Sequence, residues 1–130
     1  MNQENTNKLR DVAGPIFPQG QIDPRENLMC FGFETGDGWF ELLQDCFRGL
    51  RKIREVGIAP NLMLVQVKEK LGTLRVYVNG YDEDGIVYAV IRNAEARSGW
   101  TCDVCGRYGT TGGNGWLSTR CKEHGDNDEE

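Results

Sequence analysis

The sequence has a single histidine, His124, and no run near the roughly 20 apolar residues that a membrane-spanning helix needs. Its first 15 residues lack the apolar centre of a secretory signal, so the chain reads as soluble, non-exported and cytoplasmic. It has no phosphate-cradling Walker loop, no Gly-rich dinucleotide turn after a strand and no internal repeat. Aromatic residues are scarce at 9%, and hydrophobic residues make up 38% of 130 positions. That suffices for one compact domain, alone or carrying a small metal module, with little apolar surface to spare. Seventeen glycines and a mean hydropathy of -0.54 mark much of the chain as turn.

Net basic charge is also missing. Lys and Arg number 15 against 20 Asp and Glu, a formal charge of -5. The stretch from Lys122 to Glu130 accounts for -4 of this, which leaves the other 121 residues near neutrality at -1. A nucleic-acid binder normally shows a basic footprint, because affinity for the phosphate backbone comes from counterion release. The one local exception is Arg48, Arg51, Lys52 and Arg54. The plain reading of that cluster is the solvated C-terminal end of a helix, where cations are favoured; the alternative is a surface for phosphate or an acidic partner.

Three of the four prolines, Pro15, Pro18 and Pro24, fall within residues 1–27, which predicts an irregular N-terminal arm anchored by Ile16 and Phe17. Leu28 to Phe33 suits a short strand. From Trp39 to Arg54 the apolar residues Trp39, Leu42, Leu43, Cys46, Phe47, Leu50 and Ile53 recur at spacings of three and four, predicting a helix capped by Asp37 or Gly38. Period-two alternation then takes over. Met63, Val65 and Val67, and beyond a turn Leu74, Val76 and Val78, predict an antiparallel hairpin over Leu62 to Val78. Val87, Val90, Ile91 and Ala94 predict a second helix over Ile86 to Ser98, capped by Asp84 and stopped by Gly99. The expected fold is therefore α+β: a small antiparallel sheet with two helices over residues 28–99, a knuckle over 100–125 and an acidic tail over 126–130.

The strongest chemical signal is Cys102-Asp-Val-Cys105-Gly, fifteen residues, then Cys121-Lys-Glu-His124. Two ligands separated by two residues can grip one ion from a single turn, and Gly106 lets the backbone fold round the first pair. Residues Arg107–Thr111 and Gly115–Thr119 flank Gly-Gly-Asn, which predicts a small hairpin bringing the pairs together. Soft thiolates with one imidazole select zinc over magnesium or calcium, and four protein ligands leave no open position. The expected cofactor is one structural zinc ion in a zinc-ribbon or treble-clef-like knuckle. The remaining thiols, Cys30 and Cys46, lie in apolar runs and are expected to be buried.

No catalytic constellation accompanies the site, so the chain is not expected to be an enzyme. A ligating His124 is unavailable as a general base, and the His-x-Glu element of a zinc deaminase is absent. Asp82, Glu83 and Asp84 suit a capping turn better than a magnesium site.

Several phrases in order, Gly32-Phe-Glu-Thr-Gly-Asp-Gly-Trp39-Phe40, Gln66-Val-Lys-Glu-Lys-Leu-Gly-Thr-Leu-Arg75-Val-Tyr77, Ala94-Glu95-Ala-Arg-Ser98, Cys102-Asp-Val-Cys105-Gly106 and Trp116-Leu-Ser-Thr-Arg-Cys121-Lys-Glu-His124, resemble a family of small, mostly uncharacterised phage and prophage proteins with a C-terminal zinc knuckle. The resemblance spans roughly residues 28 to 125, about three quarters of the chain; Thr35 stands where it leads one to expect a cysteine. It implies expression inside an infected bacterium and supplies no reaction.

Two function classes follow. The first is a phage-type protein-binding module whose partner is a host protein or complex, inhibiting or redirecting a machine such as a defence complex, as an anti-CRISPR does. Its contact residues would be Arg107, Tyr108, Trp116 and Arg120 round the knuckle, with Arg48, Arg51 and Lys52 as a second surface; Trp116 could equally pack beneath the metal hairpin. The second is a nucleic-acid-binding zinc-ribbon protein using the Arg48 to Arg54 cluster with Arg107, Arg120 and Lys122 near the knuckle. A carboxylate-based enzyme is a weaker third.

Overall fold

The computed structural model describes residues 1–81 and 85–125. The capping role expected of Asp84 and the acidic tail from residue 126 onward lie outside the described residues. The described chain forms α1 (Gln3–Ala13), β1 (Phe33–Glu34), α2 (Phe40–Glu55), β2 (Met63–Lys70), β3 (Thr73–Asn79), α3 (Ile86–Ser98), β4 (Thr110–Gly112) and β5 (Ser118–Arg120). The fold is α+β, with no helix among the described residues long and apolar enough to cross a membrane.

Helix α2 is the centre. All seven apolar residues of its expected stripe, from Trp39 to Ile53, are buried, and the helix packs against α1 on one side and α3 on another. Gly57, at φ 88°, ends it just beyond Val56. Leu64, Val67, Leu74 and Val76 supply the sheet's contribution to the same core. Phe33 joins sheet to helix, with its ring centroid 5.5 Å from Phe47 and 5.9 Å from Phe17.

The N-terminal arm is not irregular throughout. Residues Gln3–Ala13 form α1, because the Asn2 side chain accepts from the Asn5 N–H at 2.8 Å, Lys8 pairs with Glu4 one turn away, and Leu9 and Ala13 bury one face on α2. The prolines act only from Pro15 onward, where Gly14–Ile16 make a single 3-10 turn and bury Ile16. The described residues thus form three α-helices rather than two.

The sheet also departs from expectation. Its order is β1-β2-β3, antiparallel between β2 and β3 but parallel between β1 and β2, with Phe33 opposite Val67. Leu28 to Phe31 form a 3-10 turn capped by the Asn27 side chain, leaving only Phe33–Glu34 extended. A bulge between Leu64 and Gln66 shifts the register, so Leu64 and Val67 share the core face where simple alternation would have placed Val65 with Val67. The open edge of β3 is covered by α3: the Leu74 N–H donates to Ser98 Oγ at 2.9 Å and the Val76 N–H to Glu95 Oε2 at 3.1 Å.

Asp37 does not cap α2. A 3-10 turn over Asp37–Trp39 leads into that helix, and the Asp37 carboxylate instead accepts from the Asn2 N–H at 2.7 Å and Asn5 Nδ2 at 3.3 Å, tying α1 to the loop. Cys46 is buried as expected, and burial with the nearby Glu95 charge pushes its thiol up to about 12. Cys30 is exposed, because the 3-10 turn rotates it outward while Met29 turns inward.

Candidate metal centre

Two turns carry the four ligands. The first follows α3 and closes when the Cys102 N–H donates to Arg107 O at 2.7 Å and the Gly106 N–H to Cys102 O at 2.9 Å, with Gly106 at φ 83°. The second follows β5, where the His124 and Gly125 N–H groups both donate to Cys121 O, at 3.2 and 2.8 Å. The β4–β5 hairpin, registered Thr110 to Arg120 and Gly112 to Ser118, returns the chain so that the turns face each other. A bond from the Asp103 N–H to Thr119 O at 2.9 Å closes the gap between them.

The result is a convergent donor set. The sulfurs of Cys102, Cys105 and Cys121 and a ring nitrogen of His124 all lie within 4.8 Å of one another. Cys105 Sγ is 3.6 Å from Cys121 Sγ, and His124 Nδ1 is 3.3 Å from Cys121 Sγ and 3.7 Å from Cys102 Sγ. A disulfide would hold its sulfurs about 2.05 Å apart, so the thiols are free. The separations match the edges of a tetrahedron round one ion, which are about 3.8 Å for metal–sulfur bonds of about 2.3 Å. The four residues form a site able to hold one metal ion.

Electrostatics favour the thiolate at Cys102 and Cys121, disfavour it at Cys105, and favour the protonated, non-ligating ring of His124. Burial opposes ionisation of Cys102, but backbone hydrogen bonds at Cys121, Cys105 and Val104 and the His124 ring together outweigh it and bring the thiol down to about 6. The Cys102 and Cys121 sulfurs in turn raise His124. An ion entering the site displaces the protons that the cluster shares.

The knuckle is seated on the core by the Gly36-Asp-Gly-Trp39 segment. A Cβ at Gly36 would lie 2.0 Å from Asp103 O, and one at Gly38 would lie 2.0 Å from Cys102 O and 2.7 Å from the Gly106 nitrogen. Only glycine admits that approach. The Gly38 N–H donates to Asp103 O at 2.9 Å, and the fully buried Trp39 donates from Nε1 to Thr101 O at 2.7 Å. On the far side, Thr119 Oγ1 donates to Gly72 O at 2.6 Å, joining the metal hairpin to the β2–β3 turn. Nothing in the spacing of these residues signals this seat; its contacts join segments 47 or more residues apart.

The expected contact residues divide sharply. Tyr108 and Trp116 are open to solvent at 75% and 81%, so Trp116 does not pack beneath the hairpin. Arg107 is exposed and reaches Glu123 at 3.5 Å. Arg120 is engaged with Asp103 at 3.0 Å. On α2, Arg51 bonds Glu55 and the Asp11 and Val12 carbonyl oxygens, and Arg54 bonds Leu62 O at 2.7 Å; Arg48 and Lys52 remain exposed. No family model, curated protein or solved structure matches the chain.

Proposed function

We propose that the chain is a zinc-stapled protein-binding module of phage type that acts on a host protein or complex, for example by inhibiting a defence complex in the way of an anti-CRISPR protein, and performs no chemistry of its own. The exposed aromatic pair on the metal hairpin carries this reading. Tyr108 shares a groove of about 550 Å³ with Arg107, Thr110, Lys122 and Glu123, while Trp116 stands at the hairpin tip. Aromatic and Arg side chains on a rigid support are the usual anchors of a protein interface. The Leu117 backbone lies against the β2–β3 turn, where the Leu71 side chain is also exposed.

Zinc is the ion this donor set favours. Three thiolates and an imidazole are soft to borderline ligands, and four of them complete a tetrahedron with no position for water or substrate. Bound there, zinc would join the two turns and hold the hairpin that presents Tyr108 and Trp116. The competing reading, a nucleic-acid-binding zinc ribbon, rests on basic residues of which Arg51, Arg54 and Arg120 are already engaged within the fold. With a net charge of -5, counterion release offers little affinity for a phosphate backbone.

Capture from a bacterial host lysate, with and without nuclease, tests the choice. The expected result is one zinc per chain by elemental analysis and protein capture that survives nuclease and is lost on Tyr108→Ala with Trp116→Ala. Capture abolished by nuclease, with affinity falling steeply as salt rises and lost on replacing Arg48 and Lys52, overturns it in favour of nucleic acid.

A further inference from the structure

Beside the metal turn lies a notch of about 460 Å³ whose walls include Glu34, Thr35, Asp37, Glu69, Asp103 and Arg120. We propose that this notch receives a lysine or arginine side chain of the partner protein. The proposal rests on the protein-binding reading above and adds to it the chemistry of one contact.

The charge of the walls is one-sided. Asp103 and Arg120 neutralise each other at 3.0 Å, whereas Glu34, Asp37 and Glu69 form no ion pair among the described residues. The Asp37 carboxylate accepts from the neutral donors of Asn2 and Asn5, and Glu69 accepts from the Gly72 N–H at 2.7 Å, so neither is matched by a cation. Two cations border the notch without lining it. Lys68 is the register partner of Glu34, and the Met1 ammonium donates to the Thr35 carbonyl oxygen.

A second feature points to a missing ligand. Thr35 is only 8% exposed, and its Oγ1 is the one buried side-chain oxygen without a hydrogen-bond partner among the described residues. Buried hydroxyls are ordinarily satisfied. Thr35 lines the notch, so an N–H donor that settles deeply enough to reach this hydroxyl would also stand among the carboxylates.

A divalent cation fits less well. Calcium and magnesium need six or more oxygens converging on one point. Among the described residues the notch carboxylates form no convergent group of potential metal ligands, and the Arg120 guanidinium stands in the notch wall. A guanidinium, with five N–H groups in a fork, or an ammonium on a flexible stem can instead serve carboxylates that are set apart. The exposed Val104 adds an apolar ledge for the stem. Because Asp103 and Val104 lie between Cys102 and Cys105, the notch has its shape only while the metal turn does.

The test is an NMR titration of the zinc-loaded full chain with three peptides: acetyl-Gly-Arg-Gly amide, its lysine counterpart, and a neutral citrulline counterpart. Arg or Lys peptide should shift the Thr35, Gly36, Asp103 and Val104 amides saturably, and citrulline should not. Glu34→Gln with Glu69→Gln should weaken binding at least fivefold, and Thr35→Val should weaken it without lowering thermal stability. Tyr108→Ala should leave it unchanged. Equal binding of citrulline, indifference to all three notch substitutions, or the same shifts produced more tightly by Ca2+ or Mg2+ would sink the proposal. No partner is present in this titration, so its failure leaves the aromatic surface standing, and loss of partner capture leaves the notch standing.

Discussion

The core and the metal knuckle are held together by opposite means. From Leu9 to Ala94 the chain buries twenty-two apolar residues in one cluster, including Trp39, Phe47 and Leu50 at 0% exposure. Beyond Thr101 the buried side chains among the described residues are Cys102, Cys121 and Thr119, two candidate ligands and one hydrogen-bonded hydroxyl. One part is stable because water is excluded from hydrocarbon; the other has no such core and gathers four residues able to hold an ion on a seat of glycines. A segment this small and glycine-rich cannot build a core, and it is therefore free to expose Tyr108 and Trp116.

Removing the ion should break the comparison most completely. Binding to small zinc modules contributes about 10 to 16 kcal/mol of apparent free energy near neutral pH. Cys102→Ser with His124→Ala should abolish metal content by elemental analysis and release amide protection throughout residues 101–125, while α2 and β3 stay protected. The reciprocal attack is on the core. Leu43→Asp or Val76→Asp places a charge among apolar neighbours and should lower stability by more than about 4 kcal/mol in urea unfolding. Metal retained in urea by a partly unfolded Leu43→Asp chain would show that the knuckle stands without its seat.

Gly38→Ala sharpens the boundary between the two regions, since its Cβ would meet Cys102 O at 2.0 Å. It touches no ligand atom. It should nonetheless lower stability by about 2 kcal/mol and metal affinity by about tenfold, measured against a competing chelator, because the coupling between seat and site is reciprocal. The buried thiol gives a smaller effect that belongs to the core alone. Cys46 has its ionisation raised from about 9 to about 12 in the fold, so the unfolded chain releases this proton first as pH rises. Its contribution to stability is complete below about pH 9 and is lost progressively toward pH 12; Cys46→Val should flatten that part of the pH–stability curve. A thiol reagent should label exposed Cys30 at once, Cys46 only on unfolding, and the knuckle thiols only after chelation. Trp116→Ala should be nearly silent for stability, within about 0.5 kcal/mol.

Much of this molecule was legible because its signals are local. The helical stripe from Trp39 to Ile53, the helix ending at Ser98 and the paired ligands each repeat within a few residues, and neighbours in sequence are then neighbours in space. Helix α1 is masked by the prolines that follow it, yet proline constrains only itself and the residue before it, and α1 ends at Ala13. The face of β2 was obscured by a bulge at Val65, which carries no compositional mark. The expectation of a buried Cys30 failed because a 3-10 turn, not a strand, decides which side of Leu28 to Phe31 faces inward.

What the sequence by itself determined is the donor set, the two central helices and the hairpin, since their periods of two, three and four residues are imposed by backbone geometry. Only the tertiary structure decided that Gly36 and Gly38 form the seat of the metal turn, that Arg51, Arg54 and Arg120 are engaged internally, and that Tyr108 and Trp116 face water. Each of those depends on a contact between distant segments, and packing between such segments is settled by shape and hydrogen bonding across the fold rather than by any repeat along the chain.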